Sequence, residues 1–486
     1  MSADYQPSEY VTVPEGWSCK RLADCTQDGA ISYGIVQPGQ HDESGVPVIR
    51  VNNISNDQLD LSEVLRVSPE IEEKYKRTRL QGGEVLLTLV GSTGQSFVAP
   101  AELAGWNVPR AIAVIRASED VGADWINICL QSKETMHFLN VRANTTVQKT
   151  LNLKDVRDIP ILIPPYGVKK SIESVALSLS KKVKLNRQTN QTLEQMAQAI
   201  FKSWFVDFEP VKAKIAALEA GGSEDDALLA AMQAIAGSAL FATDAADADA
   251  QTQLARLQAE HPEQYATLRA TAELFPSAMQ ESELGEIPAG WKVLPLSEMV
   301  ELIGGGTPKR SEPAYWNGDI CWFSVKDTPN DGNVFVIDTV EKITDAGLKG
   351  SSTKLLPLGT TIITARGTVG KLALTGVVTA MNQSCYGVIG IDGTGPYLNY
   401  LQMQEAVETL QRNTHGAVFD TITQATFGTV FQAQACISLR TNFENLVAPA
   451  FEMIKNNLQQ IKALSELRDT LLPKLLSGEL SVAEAE

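Results

Sequence analysis

The side chains best suited to chemistry in this sequence are cations and amides gathered around turns. No catalytic triad or nuclease constellation stands out. Lys74-Tyr-Lys76-Arg77-Thr-Arg79 is a compact basic run with an aromatic inside it. Arg50, Asn52, Asn53, Arg110, Arg142 and Lys149 lie in the same third of the chain. Further on, Lys309 and Arg310 follow a Gly-rich stretch, Lys326 and Asp327 end an expected strand, Arg366 and Lys371 flank a Gly turn, and Asn382-Gln383 precede another strand. Lys and Arg bind phosphate, while Arg, Lys, Asn and Gln read base edges. Binding groups also concentrate at loop ends on rigid domains. These residues are therefore candidates for DNA contact. A solvated face accounts for the basic run equally well, and accounts better for any single Arg or Asn. Trp316 and Trp322 read as core rather than as stacking platforms.

Other chemistry is missing. Ile163-Pro-Pro-Tyr166 resembles the Asp/Asn-Pro-Pro-Tyr/Phe loop with which adenine methyltransferases hold a flipped base, but Ile replaces the polar residue the loop needs. A Pro-rich domain exit is the better account. Gly367-Thr-Val-Gly-Lys371 has two residues between its glycines and is followed by Leu372, whereas a phosphate loop needs four residues there and Ser or Thr after the Lys. It reads as a turn between strands. No Gly-rich loop for S-adenosylmethionine is apparent. The four His (41, 137, 261, 415) and six Cys (19, 25, 129, 321, 385, 436) are too scattered for a triad or a zinc site, and free thiols in a reducing cytosol are expected.

The elements that must position these residues come in duplicate. Pro14-Glu-Gly-Trp17 recurs as Pro288-Ala-Gly-Trp291, and Thr88-Leu-Val-Gly91-Ser-Thr-Gly94 recurs as Thr364-Ala-Arg-Gly367-Thr-Val-Gly370. Val147-Gln-Lys-Thr150 matches Val418-Phe-Asp-Thr421, so the offset stays between 271 and 276. That period is too long for a solenoid and reads as a duplicated half-molecule. In each half, short apolar runs broken by Gly, Pro and Asn (46–51, 84–90, 112–115; 361–364, 388–391) predict strands, and 124–140 and 398–411 predict helices: a mixed α/β domain.

Each half then changes character. Residues 168–208 and 440–477 contain no Gly, and apolar residues recur in them at steps of three and four. This pattern predicts two long helices with a seam suited to antiparallel coiled-coil pairing. Each seam turns polar at matching places: Asn186 matches Asn457, and Thr189 matches Gln460. If the helices pair about a pseudo-dyad, these layers meet near mid-length and Asn186 and Asn457 are candidates for fixing register; a hydrated mid-section with no such role is an equal alternative. Phe201, Trp204, Phe205 and Phe208, and their counterparts Leu471, Leu472, Leu475 and Leu476, exceed what a seam needs. They are candidates for a subunit interface, with intramolecular core as the equal alternative.

Composition sets the remaining bounds. The chain has 486 residues, 44% hydrophobic and 20% charged, which predicts a globular protein of two to four domains. No apolar stretch is long enough for a membrane helix, and no basic-then-apolar leader opens the sequence, so a cytoplasmic location and no membrane are expected. The net charge of −17 argues against nucleic acid only on average, because residues 215–286 hold 13 acidic and 2 basic residues. That Ala-rich acidic stretch has no copy in the other half and is expected to be a solvated helical spacer.

Several stretches carry a family resemblance. Leu193-Glu-Gln-Met-Ala-Gln-Ala-Ile-Phe-Lys-Ser-Trp-Phe-Val-Asp-Phe208 and Arg468-Asp-Thr-Leu-Leu-Pro-Lys-Leu-Leu-Ser-Gly-Glu-Leu480 are similar to the two helical regions of type I restriction-modification specificity subunits. Ser282-Glu-Leu-Gly-Glu-Ile-Pro-Ala-Gly-Trp291 resembles the start of that family's second target recognition domain. Gly305-Gly-Thr-Pro308, Trp316-Asn-Gly-Asp-Ile320 and Arg366-Gly-Thr-Val-Gly370 fit its body.

The resemblance implies recognition domains at 1–167 and 288–439, conserved helical regions at 168–208 and, with the tail, at 440–486, and an insert at 209–287. It further implies that each domain reads one half of a bipartite site on double-stranded DNA. The helices would act as a ruler and dock two modification (adenine methyltransferase) subunits, and restriction/motor subunits would complete the complex. This chain would then be non-catalytic and bind no cofactor, with S-adenosylmethionine, ATP and magnesium on its partners. Two other readings stand beside it: a methyltransferase with degenerate motifs, which the missing loops disfavour, and a coiled-coil adaptor, which two diverged α/β domains disfavour.

Overall fold

The computed structural model describes residues 11–55, 58–59, 61, 63–142, 150–240, 250–329, 332–412 and 421–481. The chain forms two compact units, Met1–Lys182 with Ala463–Glu486, and Val183–Lys462.

The first unit is built on a four-stranded antiparallel sheet in the order Thr26–Tyr33, Ile112–Ala117, Val85–Thr88, Ser96–Val98. Val85-Leu-Leu-Thr88 is buried throughout because both faces of the sheet are covered. Alternation along the strand sends Val85 and Leu87 to one core, with Leu22, Trp125 and Phe138, and Leu86 to the other, with Ile49, Leu80 and Val114. Helices Ala123–Leu130 and Lys133–Arg142 lie at positions where one helical stretch was expected. Ser18–Arg21 pairs with Pro160–Ile163, so the start and end of the domain close on each other. Ile163 ends that strand and Tyr166 opens the next helix, which makes Ile163-Pro-Pro-Tyr166 a domain exit.

The second unit repeats this plan. Its main sheet runs Val300–Gly304, Cys385–Gly390, Thr361–Thr364, Leu372–Thr375, with Phe335–Val336 added at the edge. Lys292–Pro295 pairs with Phe431–Gln434, as the closing strands do in the first unit. A further three-stranded sheet holds Lys342–Ile343, Trp316–Phe323 and Thr379–Met381. One long helix, Pro396–Arg412, covers the main sheet.

The two long helices are Tyr166–Phe205 and Ile437–Leu476, 40 residues each. Within the second unit they pair antiparallel: Asn186 Nδ2 donates to Gln460 Oε1 at 3.2 Å, and Asn457 Nδ2 donates to Asn190 Oδ1 at 2.9 Å. The polar layers therefore meet, but each Asn bonds to a residue other than its repeat mate. Asn190, 0% exposed, is the member that sequence reading passed over. In the first unit, Ile172 and Ala176 share a core with Leu472, Leu475 and Leu476.

One expectation is corrected, and one open alternative is narrowed. First, the acidic insert is not a solvated spacer. Its helices Glu209–Glu219, Glu224–Leu240, Ala250–Glu260 and Pro262–Glu273 bury Val211, Ala231, Met232, Ile235, Leu254 and Phe275 in the core of the second unit. Phe275 meets Trp204 edge-on at 5.4 Å. The charge of Glu224, Asp225 and Asp226 lies on the exposed side and masked an apolar stripe of modest alanines. Second, of the two readings of the aromatic and leucine clusters, intramolecular core describes Phe201, Trp204, Phe205, Leu472, Leu475 and Leu476, while Phe208 and Leu471 are half-buried. Phe201, Trp204 and Phe205 surround Phe443 at 6.2, 5.5 and 5.1 Å, and Phe208 packs on Trp291. Leu472, Leu475 and Leu476 are buried in the first unit, with half-buried Leu471 against them. The aromatic cluster packs the end of the first long helix into the second unit, and the leucine cluster packs the end of the second long helix into the first, which uses most of the excess apolar surface.

Candidate nucleic-acid interface

The repeated Gly turn has one geometry in both units. Thr88 Oγ1 accepts from the Gln95 amide at 3.0 Å, and Gly94 N donates to Thr88 O at 2.9 Å. Thr364 Oγ1 accepts from the Lys371 amide at 2.9 Å, and Gly370 N donates to Thr364 O at 2.8 Å. Gly94 and Gly370 have φ of +89° and +86°, a region that favours glycine. Val90 bridges to Thr150 and Arg366 to Thr421 at equivalent places. The backbone is thus shared while the flanking side chains differ: half-buried Val90 and Gln95 in one turn, exposed Arg366 and Lys371 in the other.

In the first unit, Lys74–Arg79 is held from beneath. Buried Glu72 receives a two-point bond from Arg79, with Nε to Oε1 at 2.8 Å, and a third from Asn107 Nδ2 at 3.0 Å. Arg79 also bonds Glu73 at 3.1 Å. The Arg79 bond holds the Glu72 carboxyl below the usual carboxylate range against the opposing effect of burial. Arg116 donates to the carbonyls of Arg77 and Arg79 at 2.8 and 3.0 Å. Arg79 is therefore an anchor. Lys76 pairs with Glu73 at 3.1 Å, while Lys74 and Arg77 point outward. Arg110 and Asn52 are exposed. Arg50 and Asn53 both donate to Glu63 O, at 3.1 and 2.9 Å, and Asn53 is 3% exposed; they build the local turn instead of presenting an edge. Lys149 lies outside the described residues.

In the second unit, Gly305 lets the 304–310 loop press onto the strand end at Asn382, where a Cβ would stand 1.9 Å from the Asn382 carbonyl. Thr307 donates to Gln383, and the indole N–H groups of Trp322 and Trp316 hold the carbonyls of Gly306 and Lys309 at 3.0 and 3.3 Å. Lys309, Arg310, Asn382 and Gln383 are thereby brought together. Arg310 lies 4.0 Å from the Trp316 ring centroid and pairs with Glu341, so part of its charge is already engaged. Asn382 accepts from the Ser384 amide at 3.0 Å, leaving exposed Gln383 and Lys309 as the outward groups. Lys326 is exposed on a short turn capped by Asp327, at the place Asn53 caps in the first unit. Sequence reading missed Glu72, Asn107, Arg116 and Glu341. Their partners lie 7 to 39 residues away, at separations with no periodic signature.

Among the described residues no helix is long and apolar enough to cross a membrane. All six cysteines are free thiols, and burial pushes Cys25 and Cys385 up to about 12.

Two similar α/β domains, each joined to a 40-residue helix and each offering cations and amides on loops, describe a protein built by internal duplication. Residues 14–195 and 288–430 match the family described as type I restriction modification DNA specificity domain. The chain belongs to that family. It is 28% identical over 448 residues to the type I restriction enzyme HindI specificity subunit of Haemophilus influenzae, covering 90% of this chain and 94% of that one. It is also 28% identical over 200 residues to the EcoBI specificity subunit of Escherichia coli, covering 39% and 42%. A solved S subunit of a type I restriction-modification system from M. genitalium aligns with a TM-score of 0.49 and 9% identity over 98% of this chain and 99% of that chain.

Proposed function

We propose that this chain is the non-catalytic DNA-specificity subunit of a type I restriction-modification complex, in which each recognition domain reads one half of a bipartite, asymmetric site. The observation that carries this reading is the pair of Gly turns, identical in backbone and different in side chains. A duplicated scaffold with diverged reading groups suits two different half-sites at a fixed gap. The long helices set that gap and dock two modification subunits, to which restriction/motor subunits add. S-adenosylmethionine, ATP and magnesium are bound by those partners. Lys74 and Arg77 in the first domain, and Lys309, Lys326, Arg366, Lys371 and Gln383 in the second, are the outward groups with which DNA is met. Arg50, Asn53, Arg79 and Arg310 shape the surfaces that carry them.

The test is co-expression with the cognate modification subunit followed by genome-wide methylation mapping. The expected result is methylated adenine in one split motif that appears only when this chain is present. A stable, active complex producing no new motif would overturn the reading.

A further inference from the structure

Lys169 and Arg440 occupy the same place in the two long helices, the fourth residue of each, and Glu173 and Glu444 follow four residues later. In the first unit, Lys169 is 7% exposed and its Nζ donates to the carbonyls of Asp120, at 3.1 Å, and Val121. Glu173, also 7% exposed, lies 3.8 Å from that ammonium and accepts from Lys170 Nζ at 3.1 Å, so it braces the helix side of the contact. In the second unit, Arg440 is 3% exposed and donates to the Thr394 hydroxyl. Glu444 accepts from the amides of Tyr397 at 3.0 Å and Leu398 at 2.8 Å.

The two loops so held are counterparts. Each ends in a glycine, Gly122 or Gly395, that opens a helix on its domain's main sheet. The approach is an ordinary contact at Gly122 and a close one at Gly395. A Cβ on Gly122 would stand 4.0 Å from Lys169 Nζ, and one on Gly395 would stand 2.2 Å from the Glu444 carboxyl carbon.

Burying a cation is unfavourable unless it is bonded, so its occurrence at one position of both copies calls for a reason beyond adhesion. Adhesion is already supplied by apolar neighbours such as Ile172 and Leu439. Apolar packing resists separation but tolerates small rotations, whereas a hydrogen bond is directional. We infer that residues 169 and 173, and residues 440 and 444, form a repeated latch that fixes the pose of each recognition domain on its own helix, so that the spacing between half-sites depends on them. This rests on the split-site reading above. The four are positioning residues, acting through loop and helix without touching DNA.

The test uses the full chain in complex with its modification subunit, with methylation rates on duplexes of native spacer and of spacers one base pair shorter or longer. Lys169→Met and Arg440→Met each lower discrimination against the altered spacers by about tenfold, the scale of one charge-assisted hydrogen bond, with both half-site sequences unchanged. Gly395→Ala does the same by displacing Glu444 while leaving every latch side chain present. Arg440→Lys and Lys169→Arg, which exchange the two copies' residues, retain discrimination. Uniform loss of methylation at unaltered spacer preference in Arg440→Met and Gly395→Ala would show mere stabilisation and overturn the latch. A wild-type complex with no split motif would overturn the recognition reading and the latch with it.

Discussion

Asn457 donates to Asn190 at 2.9 Å, joining the two long helices through a pair four residues and three residues away from the Asn186–Gln460 contact. Asn190 also reaches the Ile454 carbonyl at 3.5 Å and is fully buried, so both its amide ends are engaged within the helix pair. Asn190→Leu is expected to lower stability by about 1–3 kcal/mol in denaturant unfolding, because Asn457 loses its acceptor in a half-buried seam. Asn190→Leu combined with Asn457→Leu recovers part of that loss, since no orphan amide remains. A double variant at the sum of the two single losses would show that the pair is not coupled.

Arg366 and Lys371 flank a turn whose first-unit counterpart has neither cation. Arg366→Ala in the complex therefore weakens recognition of only one half-site, and the slope of log affinity against log salt falls by about one for each cation removed at a phosphate. Binding titrations over a salt series, on duplexes mutated in one half at a time, read this directly. Equal loss at both halves would refute the assignment.

In the first unit, anchors and outward cations separate experimentally. Lys74→Ala with Arg77→Ala leaves stability within about 0.5 kcal/mol, as expected of exposed side chains, and lowers the salt slope by about two. Arg79→Ala destabilises, because buried Glu72 loses its main partner, although water screening of the half-exposed guanidinium limits the effect. Thermal unfolding and DNA titration of the same samples distinguish the two classes.

Two carboxylates give opposite pH dependence. Glu72 is held below its ordinary 4.5, first by the Arg79 bond, so its contribution is full above 4.5 and is lost as pH falls through its lower folded value. Burial raises Glu444 above 4.5 despite bonds from Tyr397 and Leu398, so its contribution is full below 4.5 and is lost as pH rises through its higher folded value. Amide exchange followed in each unit should show acid weakening of the first unit that Glu72→Gln removes. In the second it should show weakening with rising pH that Glu444→Gln removes. Unchanged slopes in either variant would reject the corresponding assignment.

The ruler role makes a geometric prediction. Four residues inserted near the middle of one long helix add about 6 Å at ~1.5 Å per residue, close to two base-pair steps. Methylation mapping should then show a changed gap or no methylation, with surviving half-sites unchanged in sequence. A changed half-site with an unchanged gap would contradict the division of labour.

Local pattern determined a great deal in advance. The 271–276 offset revealed the duplication, and steps of three and four revealed helices that prove to be 40 residues each. The Thr–Gly–Gly spacing marked both turns, because those positions need specific backbone angles whatever surrounds them. Tertiary structure alone decided which polar groups are anchors and which are outward. Arg79 and Arg77 are two residues apart and chemically alike, yet Arg79 meets a buried carboxylate and Arg77 does not. Lys169 and Arg440 carry no signal in the sequence, because the carbonyls and hydroxyl that receive them come from loops 46 to 49 residues away. The Ala-rich insert looked solvated because its charge is evident in the sequence, whereas the fit of Phe275 against Trp204 exists only after the chain has closed. Periodicity and turn chemistry are properties of neighbours along the chain. Burial and pairing are properties of neighbours in space, and the fold brings those neighbours together.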